Sequence, residues 1–307
     1  IVLDGKQRLL SLMQFTGISD DKNSGFRLSS LEVLKSLNGL TFRKLESDAG
    51  LQGEFNSFIN HTIRTVVIRN WPSRVFLHTV FLRLNTGSVK LSPQELRQAM
   101  VPGPFTDFAD DHAGESDALR VLLNKNQPDP RMRDVELLVR FFAFRFFLSE
   151  YKGRMKSFLD DSCESLNRDW TSMEATIKAG GHEFNRALAE LIKLFGAKGV
   201  ARKRDSQSFN RAIFDCLIFY ASDPQILARI AVEHDAVQSA YSHVLDDTSF
   251  LEAVESDTAG IPHTHARLRI WGEKLQEVLQ MDFRLPTLRQ PGDGEPSAIV
   301  FNGFWND

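Results

Sequence analysis

The stretch from Val135 to Tyr151 constrains the fold of this chain more than any other part of its sequence. At 3.6 residues per turn it carries apolar residues nearly all round, with too little polar face for an exposed position. It therefore predicts a central helix buried inside a helical lobe. Arg140 and Arg145 interrupt this apolar surface, so each must be ion-paired or must reach solvent through its long side chain. Glu136 lies four residues before Arg140 and is a suitable partner.

The segment Pro102-Gly103-Pro104 predicts a boundary between two lobes, because the pattern beyond it is helical almost throughout. Hydrophobic periodicity predicts helices there over residues 116–124, 131–151, 154–178, 182–195, 207–221, 224–245, 248–256 and 264–280. The residues from Pro286 onward are rich in proline and glycine. We therefore expect three parts: a first lobe over residues 1–103, a helical lobe over 104–285, and a C-terminal tail over 286–307.

The first lobe has a mixed pattern. Helices are predicted over residues 6–16, where Gly17 ends the helix, and over 48–58. Residues 26–31 and the β-branched run 62–69 predict strands, and Leu37-Asn38-Gly39 predicts a turn. A further helix is predicted to begin at Trp71-Pro72-Ser73. The predicted class is therefore α+β, with a small mixed α/β lobe followed by a mainly α-helical lobe.

The clearest local signal is Ser92-Pro93-Gln94-Glu95, which predicts a capping box with proline at the first helical position. A glutamate at this place normally accepts a hydrogen bond from the backbone N–H of the capping residue. We favour that structural role for Glu95 over a catalytic one.

The opening residues predict an anion site. An apolar, strand-like run breaks at Gly5 and continues as a helix, whose first free N–H groups would point at a ligand held by the turn. Lys6 and Arg8 add cationic donors, and arginine can bind phosphate through two parallel hydrogen bonds. Asp4 would repel phosphate, so it caps the helix, orients Arg8, or holds a metal ion or water. By spacing alone, an ordinary strand-to-helix turn fits equally well.

This turn gains a context from a second segment, Phe81-Leu82-Arg83-Leu84-Asn85-Thr86-Gly87-Ser88-Val89-Lys90-Leu91-Ser92-Pro93-Gln94-Glu95-Leu96-Arg97. Together the two resemble the DGQQR-motif domain of GmrSD-type (type IV) restriction enzymes, which is related to the ParB/sulfiredoxin-like fold. Lys6 departs from the first motif, where the family has glutamine, and the upstream Tyr-Gln-Arg-x-x-x-Trp-like motif is absent. Since the chain also opens without an initiator methionine, we expect that an N-terminal segment is missing. The matching residues are Asp4, Gly5, Gln7 and Arg8 in the first motif, and Arg83, Asn85, Gly87, Leu91, Ser92, Glu95 and Arg97 in the second.

The resemblance covers most of the chain and implies a ParB-like first lobe that binds and hydrolyses an NTP. Mg²⁺ would be a further cofactor, positioned by Asp4. Asp4 and Arg8 would be catalytic. The protein would be a regulatory or DNA-sensing component of a prokaryotic restriction or anti-phage system, with DNA and a nuclease or other defence subunit as partners. The nucleotide-binding residues would be Gly5, Lys6, Gln7, Arg8, Arg83, Asn85, Thr86 and Gly87.

Two other functions compete with this one. The first is a DNA-binding or scaffold protein of the same kind of system that does not hydrolyse nucleotide, which ParB-like relatives make credible. The second is direct endonuclease action, which ranks last because the sequence contains no convincing metal-binding cluster.

Composition limits how the chain could meet nucleic acid or a membrane. A net charge of −3 gives no overall attraction to DNA, so any contact must use a local basic patch. Lys198, Arg202, Lys203 and Arg204 form the one concentrated basic run, which is either a solvated loop or a contact to phosphates. Two distant cysteines fit buried thiols in a cytoplasmic protein. No apolar run approaches the length of a membrane span, so no membrane partner is expected.

Overall fold

We describe residues 6–18, 26–69, 76, 80, 91–204, 206 and 208–288 of a computed structural model. Within these ranges the regular secondary structure is helical and no strand is present. The predicted α+β class, with its mixed α/β lobe, is therefore wrong. The chain divides into two compact units, Ile1–Lys90 and Leu91–Asp307. No helix of the described part is long and apolar enough to cross a membrane.

The first unit contains helices α1 (Lys6–Thr16), α2 (Phe42–Ser47) and α3 (Gln52–Ile59) in its described part. The helix predicted over 6–16 is confirmed, and it ends before Gly17, whose positive φ of 74° suits glycine. A small aromatic core holds this unit together, because the Phe15 ring contacts three others edge-on. These are the rings of Phe26, Phe42 and Phe58.

The two predicted strands of the first unit are corrected by the structure. The Leu28 N–H donates to the Leu40 carbonyl oxygen, and the Leu28 carbonyl oxygen accepts from the Gly39 N–H, but no strand ladder forms in residues 26–31. Residues 62–69 are irregular, and Val66 is 94% exposed. The preference of β-branched residues for strands depends on packing against a neighbouring strand. The described residues supply no neighbouring strand, so the β-branched residues of 62–69 do not form one.

The second unit packs its helices around the segment that the sequence singles out. Phe142 is fully buried at the centre of α7 and Phe146 packs against the same core, so the predicted central helix is confirmed. The helices of this unit are α4 (Pro93–Met100), α5 (Pro104–Glu115), α6 (Asp117–Leu123), α7 (Arg133–Phe147), α8 (Met155–Arg168), α9 (Trp170–Phe195), α10 (Arg211–Ala221), α11 (Pro224–Val232), α12 (His234–Val244), α13 (Thr248–Glu255) and α14 (Ile261–Leu279).

Several boundaries differ from the predicted ones. The break predicted between residues 178 and 182 falls instead at Asp169, between α8 and α9, so the glycine pair 180–181 lies inside α9. Residues 104–115 form α5, which the sequence pattern did not predict. The division into compact units falls between residues 90 and 91, and α4 belongs to the second unit, whereas the sequence places the lobe boundary at 103/104. Of the predicted tail, residues 286–288 are described, and Leu288 is buried in the core.

Candidate functional site

The predicted nucleotide motif is described only in part. Helix α1 begins at Lys6, directly after Gly5, and Arg8 lies in its first turn with an exposed side chain. The side chains of Lys6 and Gln7 and the whole of Asp4 and Gly5 lie outside the described residues, as do Arg83, Asn85, Thr86 and Gly87. Whether Arg8 and Asn85 meet in one pocket therefore stays a prediction.

The capping box at the start of α4 is confirmed. Ser92 Oγ accepts a hydrogen bond from the Glu95 backbone N–H at 3.1 Å, and Glu95 Oε2 accepts one from the Ser92 N–H at 2.6 Å. Arg131 lies 3.4 Å from the same carboxylate oxygen. The Glu95 carboxylate is thus bound by its own helix terminus, in agreement with the structural role favoured above.

Arg97, another residue of the second motif, is buried and connects α4 to α8. Its Nε donates to Asp160 Oδ1 on α8 at 2.7 Å, and its Nη1 donates to the side chain of Gln94. The guanidinium is almost fully buried. A charge in this position binds α4 to the second unit, which explains why the unit begins before Pro102.

Most side chains of the basic run form hydrogen bonds or ion pairs with other residues of this chain. Arg202 Nη1 donates to the carbonyl oxygens of Ala197 and Val200 at 2.8 and 2.9 Å. Lys203 is paired with Glu255, and Arg204 lies 3.0 Å from Asp246. Lys198 is exposed. These contacts account for the fixed position of the loop, and a DNA contact through Lys198, Arg202, Lys203 and Arg204 remains a prediction.

A cluster of buried charges lies in the second unit, where α7, α10 and α14 pack together. Arg140 donates from Nε to Asp215 Oδ1 at 2.9 Å and from Nη2 to Oδ2 of the same carboxylate. Arg267 has no exposed surface, and its Nη2 lies 4.0 Å from Asp215. Its Nη1 donates to the Thr258 carbonyl at 2.7 Å. One carboxylate therefore serves two buried guanidinium groups.

A second pair extends this cluster towards the surface. Glu136 lies 2.9 Å from Arg211 Nε and 4.0 Å from Arg140 Nη1. The three arginines carry one more charge than the two carboxylates can balance. Nε and Nη2 of Arg267 also have no hydrogen-bond acceptor among the described residues. The cluster thus carries a net positive charge that includes the half-exposed Arg211, and the buried guanidinium group of Arg267 is incompletely hydrogen-bonded.

Neutral side chains beside the cluster do not supply the missing negative charge. Burial raises the pKa of the Cys216 thiol to about 12, although Arg267 nearby opposes the shift. Burial likewise raises the pKa of Tyr151, against the opposing influence of Arg267 and Arg140. Both groups therefore stay protonated near neutral pH, and Tyr151 donates its hydroxyl hydrogen to the Ala259 carbonyl at 2.5 Å.

A pocket of about 310 Å³ lies against this cluster at the start of α10. Asn210 caps that helix, because its Oδ1 accepts hydrogen bonds from the backbone N–H groups of Ala212 and Ile213 at 2.8 and 3.1 Å. The sequence pattern singles out Arg140 but does not predict this site, which the lone Asp215 inside the apolar helix α10 could have indicated. The lining residues are Arg140, Met155, Phe209, Asn210, Arg211, Ala212, Val254, Thr258 and Ala259.

No protein-family model, curated protein or solved structure matches this chain. Among the described residues, no three His, Cys, Asp or Glu side chains lie close enough together to hold a metal ion. Function is therefore inferred from the chemistry of particular side chains. Two places carry it, the start of α1 and the pocket at the start of α10.

Proposed function

We propose that this chain is a nucleotide-binding, NTP-hydrolysing component of a prokaryotic restriction or anti-phage system, with a regulatory or DNA-sensing role in the cytoplasm. The observation that carries the proposal is the sequence Asp4-Gly5-Lys6-Gln7-Arg8 running straight into α1, which begins at Lys6. Free N–H groups and the positive end of the dipole at such a helix start favour a phosphate. The proposal depends on these motif residues and not on a mixed α/β lobe.

The chemistry follows from the types of residue in the two motifs. Arg8, exposed in the first turn of α1, would bind a phosphate of the nucleotide through parallel hydrogen bonds. Lys6 and Arg83 would add positive charge, and Asn85 and Thr86 would bind phosphate, ribose or base. Asp4 would position water, or the Mg²⁺ that accompanies the nucleotide. Attack of that water on the γ-phosphorus would break the bond to the β-phosphate oxygen and release the nucleoside diphosphate and inorganic phosphate, while Arg8 offsets the charge on the leaving oxygen.

A DNA-binding or scaffold protein that does not hydrolyse nucleotide is the second candidate. The basic loop after α9 favours it, because Lys198 is exposed and the Arg204 side chain is 55% exposed. Both would be available to a phosphate backbone, at the cost of the Arg204–Asp246 contact. A nuclease or other defence subunit would be the partner in either case.

Calorimetric titration of the full chain with ATP, GTP, CTP and UTP, each with Mg²⁺, separates the two candidates. Binding of at least one of them, followed by release of phosphate, is the result expected for the first. If none of the four binds while duplex DNA does, the second candidate replaces it.

A further inference from the structure

We propose that the pocket at the start of α10 is a second ligand site, which binds a small organic anion with one oxyanion group and an apolar or aromatic body. The site lies wholly in the second unit, so the proposal is independent of nucleotide binding at α1. The oxyanion would lie against Arg140 and Arg211. The body would occupy the apolar part of the pocket.

Arg140, which lines the pocket, has one guanidinium nitrogen without a hydrogen bond to a described residue. Arg140 lines the pocket with a side chain that is only 7% exposed. Asp215 takes its Nε and Nη2, whereas Nη1 makes no hydrogen bond to any described residue and lies 4.0 Å from Glu136. A buried guanidinium group normally has its N–H groups satisfied. An oxyanion in the pocket would satisfy this one.

The positive charges beside the pocket outnumber the negative ones. Three arginines, two of them buried, face the carboxylates of Glu136 and Asp215, and the neighbouring phenol and thiol are protonated. The three guanidinium groups therefore carry one positive charge more than the two carboxylates, and the Arg211 side chain that is part of this count is 47% exposed. Asn210 and Thr258 add uncharged polar groups to the lining. A monoanion would restore neutrality in this cluster.

The pocket also has an apolar part, which suits the apolar body of a ligand. The apolar lining residues are Met155, Phe209, Val254, Ala212 and Ala259. The pocket volume of about 310 Å³ lies at the lower end of the range for small-molecule sites, which is roughly 300–1,000 Å³. A free inorganic ion would leave this surface in contact with water. An aromatic ring joined to an oxyanion fills both parts.

The test uses three probes that share a benzene ring. Benzoate and phenyl phosphate carry a carboxylate and a phosphate, and benzyl alcohol is the neutral comparison. Titration calorimetry on the full chain is expected to detect at least one of the two anions and not the alcohol. Which anion binds distinguishes a carboxylate ligand from a phosphomonoester.

Two variants place the binding in this pocket. Arg211→Gln removes a half-exposed cation and is expected to weaken anion binding about tenfold or more, since a charge-assisted contact is lost. Ala259→Leu fills the pocket without changing charge and is expected to abolish binding. Arg168→Gln is the matched control, because it removes an arginine at the far end of α8, whose first residue is Met155. Thermal unfolding of each variant checks the fold.

The proposal is overturned if neither anion binds, if benzyl alcohol binds as tightly as the anions, or if Ala259→Leu and Arg168→Gln leave equal affinities. Should Arg211→Gln fail to fold, the Ala259→Leu comparison decides alone. Arg8→Ala is expected to leave benzoate and phenyl phosphate affinities unchanged. A failure of this site is thereby distinguished from a failure of nucleotide binding at α1.

Discussion

Arg140 and Asp215 are 75 positions apart in the sequence and face each other through two hydrogen bonds in the interior of the second unit. The carboxylate has only 2% of its side chain exposed, and the guanidinium 7%. Removing such groups from water is costly, and the cost is offset only while both partners are present. The pair therefore joins α7 to α10 and also fixes one wall of the pocket.

Asp215→Ala is expected to lower the free energy of unfolding by about 3–5 kcal/mol, because it removes the carboxylate that lies against the buried guanidinium groups of both Arg140 and Arg267. Urea unfolding followed by circular dichroism measures the change. Asp169→Ala is the control, since it breaks a largely exposed pair with Arg168 and should cost less than about 1 kcal/mol. Equal losses in the two variants would contradict the role of the buried pair.

The contrast between the partners of Arg140 shows how far the sequence alone could lead. Glu136 could be proposed because neighbours four residues apart on a helix meet by rule, and it lies 4.0 Å away. The main partner, Asp215, belongs to another helix, and no local pattern connects them. For the same reason the capping box at Ser92 was predictable from four adjacent residues, whereas the run 62–69 was not, because a strand depends on a partner elsewhere in the chain.

The glycine pair 180–181 gives a second lesson of this kind, since glycine in a helical pattern favours a break but here allows close packing. A Cβ on Gly181 would lie 2.9 Å from His112 Nε2 and 3.1 Å from Phe108 Cζ. Gly181→Ala is therefore expected to destabilise the protein by about 1–3 kcal/mol, although alanine is the better helix former. Thermal unfolding measures the change.

Gly114→Ala serves as its control in the same unit. The new methyl group would meet only Pro128 Cγ at an ordinary 3.5 Å, so stability should stay the same or rise by up to about 1 kcal/mol. If Gly181→Ala stabilised the protein as much as Gly114→Ala, the packing explanation would be wrong.

Glu95→Gln should leave NTP hydrolysis unchanged, because a glutamine side chain can still accept the hydrogen bond from the Ser92 backbone. Ser92→Ala, which removes the capping acceptor itself, is expected to cost about 1 kcal/mol of stability. Turnover at saturating nucleotide and urea unfolding are the two measurements. A large loss of turnover in Glu95→Gln with stability preserved would assign this carboxylate to catalysis instead.

His112 is expected to make stability fall in mild acid. Its Nε2 lies 3.0 Å from Asn185 Nδ2, while Asn185 Oδ1 accepts from Ser116, so the ring nitrogen must accept and stay unprotonated. Burial lowers the pKa of His112, outweighing the bond with the Gly181 backbone that would raise it. The pKa of His112 in the folded protein is thus below its pKa of about 6.5 in the unfolded chain. The stability that neutral His112 contributes above pH 6.5 is therefore lost as the pH falls through the folded pKa.

Comparison of the wild type with His112→Gln at pH 7 and pH 5 isolates this contribution. The wild type should lose more unfolding free energy between the two pH values than the variant, in which position 112 no longer titrates. Equal losses would show that His112 is not responsible for any acid sensitivity.

The central claim, that the turn before α1 binds a nucleotide phosphate, is tested most directly by calorimetry of the full chain with each common NTP, on the wild type, Arg8→Ala and Lys6→Gln. Loss of a bidentate contact worth about 1.5–3 kcal/mol should weaken binding in Arg8→Ala by roughly ten- to a hundredfold. Lys6→Gln keeps a polar hydrogen-bond donor at this position and should have a far smaller effect. Circular dichroism should show both variants folded, because Arg8 is exposed. The predicted result is tight binding that Arg8→Ala selectively weakens, and unchanged affinity in Arg8→Ala would contradict the claim.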